Sequence, residues 1–429
     1  MKKKIWIITL LVFGGVCGHA QETDKVKTVN IAGIDQDVKE STASISLISG
    51  ENLTKRSAKN VTNSLFGYGL GLTALQNSGS YSSQEPTLYI RGLQTLSSST
   101  PLMLVDGIER DITLVTSEEV ESVQILKDAA AVALYGYKGA NGVINIITKR
   151  GKYNTKEIKF TFDHLINWEV RRPEFANAYT YASAINEAYA NDGIRKPRYH
   201  EYEMNAFKTG AYPQYYPNVN WVDEVFKDAA ATNIANMSLR GGGSKFRYFA
   251  MFNWVTDNGF IANAKANDGY STQNKSSKAN LRTNLDIDLT PSTKMTLNLL
   301  GTLAETNKPG DSADLWSMIY SLPATAFPVK TENGLWGGNT TWDGTKNPVA
   351  QSQAAVYTKG HNRSLYADMT LKQDLSSILP GLGAGFMLAY DNWASYVENH
   401  SKTYRYGSDN VQWKSGKPVF VSQYTAGTE

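Results

Sequence analysis

The sequence predicts a small α/β domain followed by antiparallel transmembrane β-barrel strands. Three observations carry this: an export signal at the N-terminus, a compact α/β pattern up to residue 152, and long strands of period two beyond it. Lys2, Lys3 and Lys4 precede an apolar run over residues 5–16, followed by Gly18, His19 and Ala20. A charged start, a short apolar stretch and small residues form a secretory signal peptide, expected over residues 1–20 with cleavage after Ala20. An apolar run of about 12 residues is too short for a membrane-spanning helix, which needs roughly 20. Cys17 does not suit lipid attachment, because bulky Val16 precedes it.

The signal accounts for the basic balance of the whole chain. There are 43 Lys and Arg against 40 Asp and Glu, and three of the basic residues lie in the signal, so the mature chain is expected to be neutral. No surface then attracts a phosphate backbone, and no nucleic-acid partner is expected. The single cysteine leaves with the signal, so stability must come from sheet pairing and burial. Beyond the signal no stretch approaches 18 consecutive apolar residues, which excludes ordinary transmembrane helices and leaves transmembrane strands open. The 24 Tyr and 9 Trp suit either the girdles of a barrel or a sugar-stacking surface.

Residues 21–40 read as a polar tail. It carries Val26, Lys27, Thr28, Val29, Asn30, Ile31, Ala32 and Gly33, which alternate like an unpaired strand. Residues 41–152 read as one domain: a strand over 43–48, a helix over 57–66, strands at Thr87–Ile90 and Leu102–Val105, and a turn at Asp106-Gly107. A mixed segment Val120–Leu126, an alanine-rich stretch over 128–134, a glycine-rich corner and a strand Val143–Thr148 complete it.

From residue 153 to 429 the character changes. In 279–289, Leu281, Thr283, Leu285, Ile287 and Leu289 face one side, while Asn280, Arg282, Asn284, Asp286 and Asp288 face the other. The same period recurs over 245–256, 295–303 and 364–375, and more weakly over 157–163, 232–240 and 383–391. A β-sandwich also alternates. Strand length favours a barrel, because soluble strands run roughly 5 to 6 residues and tilted membrane strands roughly 9 to 11. So do the connections, since short turns at 241–244, 290–292 and 376–382 alternate with long segments at 168–231, 257–277 and 307–362, expected as external loops. Seven strands are expected, the seventh continuing through 396–406.

Three blocks within 85–152 carry a family likeness: Tyr89-Ile90-Arg91-Gly92, then Pro101-Leu102-Met103-Leu104-Val105-Asp106-Gly107, then LKDAAAVALYGYKGANGVINIITKRG from Leu126 to Gly151. Here the chain resembles the plug domain of SusC/RagA-like TonB-dependent outer-membrane transporters. It departs at Tyr137-Lys138, where the family more often has a small residue and Arg. The signature positions are Arg91, Gly92, Asp106, Gly107, Lys127, Asp128, Tyr135, Gly136, Gly139, Asn141 and Gly142. Gly136, Gly139 and Gly142 permit tight turns that return the final strand to the sheet after Tyr135 is packed. Arg91, Asp106, Lys127 and Asp128 could pair with each other or with a surrounding wall, either as stabilisers of the domain or as a latch that yields when it is pulled.

The resemblance implies a plug inside a barrel of roughly 22 strands, so residues 153–429 are expected to supply only the first part of an incomplete barrel. It implies location in the outer membrane of a Gram-negative bacterium, in contact with its lipid, and import of a large nutrient, an oligosaccharide or a peptide. Implied partners are TonB, gripping Val26 to Gly33 as a TonB box by strand addition, and a SusD-like surface lipoprotein. The small β-sandwich that precedes the box in many members is absent between Gln21 and Asn30. No catalytic residue, cofactor or metal is expected. Two alternatives stay open: a secreted or periplasmic β-sandwich carbohydrate-binding protein, and a truncated remnant that does not transport.

Enzyme chemistry finds little support. Gly67-Tyr68-Gly69-Leu70-Gly71 lacks the strand, glycines, helix order of a dinucleotide site. His164, His200, His361 and His400 are scattered, and His200-Glu201-Tyr202-Glu203 lacks the second histidine of a helical zinc site. Asp286 and Asp288 share a strand face, which suggests an acid and base pair, but a barrel lumen makes them wall charges. Trp316, Tyr320, Trp336 and Trp342 could stack on sugars or pack loops.

Overall fold

A computed structural model of the 429-residue chain describes residues 28–31, 34–37, 43–76, 85–95, 98–265, 269–310, 315–355, 357–414 and 417–426. The signal segment 1–20 and Val26, Lys27, Ala32 and Gly33 lie outside the described residues. Thr28–Ile31 (β1) pairs antiparallel with Ile34–Asp37 (β2). That corrects the unpaired strand expected here, because the two halves of the tail offer complementary edges and satisfy each other's main-chain groups.

The α/β domain runs from Ile45–Ser49 (β3) through Gly50–Leu53 (α1) and Val61–Ser64 (α2) to Leu72–Leu75 (β4) and Thr87–Ile90 (β5). Leu102–Val105 (β6), Ile108–Glu109 (β7), Val120–Leu126 (β8), Asp128–Tyr135 (α3) and Val143–Thr148 (β9) follow. Five strands form a mixed sheet in the order β3-β8-β9-β6-β7, with β6 and β9 parallel, and β4 and β5 form a separate pair. Val123, Ile125, Ile144 and Ile146 are fully buried at the centre of the domain core, beside Leu53 and Leu65. This explains why β8 and β9 read as mixed or continuously apolar runs: both of their faces are covered. The helix expected over 57–66 is a single turn. Asn60 caps it, accepting from the Asn63 N–H at 3.1 Å, and the positive φ angles of Gly67, Gly69 and Gly71 turn the chain back into β4.

The wall begins with Lys156–Trp168 (β10). Three helices, Ala178–Asn191 (α4), Glu201–Thr209 (α5) and Trp221–Val225 (α6), precede Ala229–Gly242 (β11), Phe246–Asn258 (β12), Lys275–Asp288 (β13) and Thr293–Pro309 (β14). Leu315–Ser321 (α7), Trp336–Gly337 (β15) and Pro348–Gln353 (α8) lead to Tyr357–Asp374 (β16) and Gly383–Asn399 (β17). The seven long strands form one antiparallel sheet in sequence order, unclosed among the described residues. The seventh ends at Asn399, not at 406. There the chain turns into the long-loop layer, where Tyr404 donates to the Gly344 carbonyl at 2.8 Å. Tyr406–Lys414 (β18) then joins β15 and Lys417–Ala426 (β19) in a small separate sheet.

Exposure decides between barrel and sandwich. Leu281 is 51% exposed and Phe160 67%, whereas Arg282 is 2% exposed and Asn284 0%. A sandwich would bury the leucines and expose the amides. Here the polar face lies against the α/β domain and the oily face points away, as a lipid-facing wall requires, which corrects the sandwich alternative. Among the described residues no helix is long and apolar enough to cross a membrane, a statement that does not bear on strands. The long connections are partly helical, with a core of their own around Trp221, Val225, Ile319, Phe327 and Val349.

Candidate functional site

The candidate site is the contact between the α/β domain and the polar face of the wall. Most signature residues sit inside the domain. Asp106 and Gly107, at φ 51° and 86°, make the tight turn between β6 and β7. The Asp106 carboxylate accepts from the Thr148 N–H at 2.9 Å and its hydroxyl at 2.6 Å, while the Gly107 N–H donates to Asn145 Oδ1 at 3.2 Å. Lys127 is buried, and its ammonium donates to Ser46 Oγ at 3.0 Å and the Leu70 carbonyl at 2.8 Å. Arg91, beside Gly92 at φ 83°, pairs with Asp128 at the surface, where such a pair contributes at most about 1 kcal/mol.

Tyr135 packs half-buried on Leu104, Leu126 and Val143, and Asn141 Nδ2 donates to the Ser98 and Thr100 carbonyls at 3.1 and 3.2 Å. Gly136 and Gly142 have positive φ. A Cβ on Gly142 would lie 2.7 Å from Ile90 Cδ1. Gly139 is not at positive φ; it is buried, and its carbonyl accepts from the Gly142 N–H at 2.9 Å. Of the four signature charges, Asp106 alone comes near the wall among the described residues, through Arg150. That guanidinium stands 3.7 Å from Asp106 and 3.6 Å from Asp286 and donates to Asn298.

Other residues carry the contact. Arg110, just after β7, donates from Nη1 to Asp368 at 2.6 Å and from Nη2 to Asp391 at 2.7 Å, with its guanidinium 5.3 Å from the Tyr366 ring centre. The side chains of Arg110 and Asp368 are 5% and 2% exposed. Asp368 also accepts from Asn298 Nδ2 at 2.6 Å. Burial alone would lower the Arg110 pKa, but hydrogen bonds to Asp391 and Asp368 outweigh it and raise the pKa, so this cation stays charged. Glu119 pairs with Arg282 in an equally buried contact, and Lys59 pairs with Asp257. Neutral bonds complete the seam: Asn284 Nδ2 donates to Thr148 Oγ1 and the Lys149 carbonyl, both at 2.8 Å, and Asn280 Nδ2 to the Leu114 carbonyl at 2.7 Å.

This seam is polar, and it is incompletely satisfied. Arg282 Nη2, Asn280 Oδ1 and Asn284 Oδ1 are buried without a hydrogen-bond partner among the described residues. Each such group carries a penalty of about 1–3 kcal/mol that water would relieve. The seam therefore holds the two parts in register, yet it gives up less on separation than an apolar interface of the same area would.

The wet-face residues Arg282, Asn284 and Asp286 were legible from alternation, but Arg110 and Glu119 were not singled out. The available signal was the charged run Glu109-Arg110-Asp111 directly after the Asp106-Gly107 turn. Asp286 accepts from Arg247 Nε and the Thr296 hydroxyl, both at 2.9 Å, and Asp288 from the Tyr153 hydroxyl at 2.8 Å, so both are wall charges with partners. The glycines at 67–71 lead into β4, not a helix. Among the described residues no group of His, Cys, Asp and Glu could hold a metal ion.

An α/β domain bonded through polar residues to the polar face of a long-stranded antiparallel sheet, whose other face is oily, is the arrangement of a plug against part of a β-barrel wall. The TonB-dependent Receptor Plug Domain family matches residues 37–143. Among curated proteins, TonB-dependent receptor P3 of Formosa agariphila is 24% identical over 323 residues, which cover 73% of this chain and 29% of that protein. TonB-dependent receptor SusC of Bacteroides thetaiotaomicron is 25% identical over 254 residues, covering 56% of this chain and 23% of that protein. Among solved structures, the RagAB peptide transporter superposes with a TM-score of 0.63 at 18% identity, covering 85% of this chain and 42% of that chain. The chain therefore spans less than a third of the length of the curated relatives it matches. Over part of their length it resembles SusC/RagA-like TonB-dependent receptors: a domain that matches the plug family, followed by antiparallel strands like those of the barrel wall.

Proposed function

We propose that this chain supplies the plug and first wall strands of an outer-membrane importer that carries a large nutrient inward without altering it chemically. The observation that carries the reading is the plug–wall seam, in which buried ion pairs of Arg110 and Glu119 hold a separate domain against a wall whose outer face is oily. In this reading residues 1–20 direct export, 21–40 hold a TonB box, 41–152 form the plug and 153–429 the first part of the barrel.

TonB grips Val26, Lys27, Thr28, Val29, Asn30, Ile31, Ala32 and Gly33 as an added strand. Within that segment Thr28–Ile31 pairs with Ile34–Asp37, so a gripping partner must displace β2 or add to the opposite edge of β1. Pulling then loads the plug, and the signature residues keep it intact while the seam yields. By the resemblance of its plug signature to SusC/RagA-like transporters, the cargo is an oligosaccharide or a peptide, captured with a SusD-like lipoprotein; a peptide is what the RagAB transporter, similar in fold, carries. The test is uptake of labelled maltooligosaccharides and oligopeptides by cells carrying the full-length gene with or without residues 26–33. Loss of uptake on deletion is expected, and undiminished uptake of a cargo that the intact gene imports would refute energised import.

A further inference from the structure

The outer face of the wall carries a cleft that the import reading does not use. Its volume is about 470 Å³, and it opens at the long-loop end of β13, β14 and β16 between Tyr270, Lys275, Glu305, Tyr357, Lys359 and His361. The register fixes its side and height. On the outward face, Leu281, Gly301 and Leu365 lie in one row across these strands, with Ala279, Leu303 and Arg363 in the next. Above them come Ser277, Glu305 and His361, and then Lys275, Asn307 and Lys359. Leu281, Leu303 and Leu365 are 51%, 60% and 41% exposed, so the lower rows belong to the oily band. The change to charged residues within two rows marks the top of that band.

Strand length agrees with this height. β14 has 17 residues and β16 has 18, whereas crossing the hydrocarbon takes roughly 9 to 11. The cleft therefore sits where strands leave the hydrocarbon, level with lipid headgroups. It is also a formed feature. Asn307 Nδ2 donates to the Ser271 and Gln273 carbonyls at 2.9 and 2.8 Å, pinning the loop that walls the cleft, and Tyr270 donates to the Ala354 carbonyl at 3.1 Å.

Its chemistry is that of a phosphorylated sugar. Lys275, Lys359 and Arg363 are exposed and have no carboxylate within ion-pair distance among the described residues. Tyr270, Tyr357 and His400 form an aromatic wall beside the lysines, with ring centres 5.4 Å apart for the first two and 4.4 Å for the last two, and Lys359 lies 5.6 Å from the Tyr357 ring centre. Glu305 can accept from hydroxyls. Glu305 and Glu398 stand 3.5 and 3.8 Å from the His361 ring nitrogens, and neither pairs with Lys275 or Lys359 among the described residues.

We propose that this cleft binds the phosphorylated sugar headgroup of a glycolipid in the membrane leaflet on the long-loop side. Lys275 and Lys359 hold the phosphate, and the sugar packs beside the aromatic wall. The proposal rests on the membrane placement of the wall and is independent of what the barrel imports. The test loads the full-length protein in detergent with bis-phosphorylated lipid A or with its dephosphorylated form, and counts retained lipid by native mass spectrometry. The intact protein should retain lipid A at least tenfold better than the dephosphorylated form. Lys275→Glu/Lys359→Glu should lose that preference, and Lys275→Gln/Lys359→Gln should reduce it.

A heat-modifiable band on gels reports barrel folding separately, so failure of the membrane reading and failure of the cleft are distinguishable. If the glutamate variant lacks that band, the glutamine variant decides. Equal retention by intact and folded variant protein overturns the proposal, as does binding of free glucose 1-phosphate as tight as that of lipid A.

Discussion

Replacing Arg110 with alanine leaves Asp368 buried at 2% side-chain exposure, with Asn298 as its one remaining hydrogen-bond donor among the described residues, and leaves Asp391 facing the same void. Breaking a buried pair by removing one partner costs about 3–5 kcal/mol, because the remaining charge stays out of water. Part of the cost is recovered if the plug moves off the wall and lets water reach Asp368. The variant should therefore favour the separated state by roughly 10²- to 10³-fold, since each 1.4 kcal/mol is about a factor of ten. Amide hydrogen exchange of the full-length protein reads this directly in peptides covering β6 and β7, which open with the seam. Arg110→Ala should speed their exchange by that factor, while Arg110→Met/Asp368→Leu, which removes the buried pair and leaves only Asp391, its side chain 33% exposed, should fall much closer to the parent. Exchange within threefold of the parent in the alanine variant would refute the latch and leave Arg110 a passive wall contact.

Two further expectations concern each half of the molecule. Leu281→Arg places a charge on the outward face of β13, in the upper part of the oily band, and should cost the wall about 1–3 kcal/mol, seen as a weakened heat-modifiable band, while Leu281→Phe should leave that band intact. Gly142→Ala forces a side chain onto φ 85° and against Ile90, so the plug should lose about 1–3 kcal/mol in urea unfolding followed on β9 peptides, with wall unfolding unchanged.

Residues whose environment is set by their neighbours in sequence were the legible ones. The bounds of Thr87–Ile90, Leu102–Val105, Val120–Leu126 and Val143–Thr148 follow from local apolar pattern and the Asp106-Gly107 turn. The seven wall strands and their faces follow from alternation, but the strands run longer than the alternation does. Tyr357–Asp374 starts seven residues before the pattern at 364, because above the oily band both faces meet polar surroundings and the period fades. The helix Ala178–Asn191 lies within the external connection 168–231, where no apolar period marks it, although Asn177 caps it by accepting from the Thr180 N–H at 2.9 Å. The seam was illegible for a different reason. Arg110 and Asp391 are 281 positions apart, and Glu119 and Arg282 are 163 apart, so no spacing could pair them. What a single sequence offers there is the sum of wet-face charges on the wall and charges beside plug turns, without their partners.

The central claim is that the plug leaves the wall when the N-terminal segment is pulled. Asn284 tests it well, being fully buried on the wall beneath Thr148 and Lys149 of the plug side. In cells carrying the full-length gene with Asn284→Cys, labelling by a membrane-impermeant maleimide should require an energised membrane, added cargo and intact residues 26–33. Equal labelling in poisoned cells, or in cells lacking residues 26–33, would contradict the account.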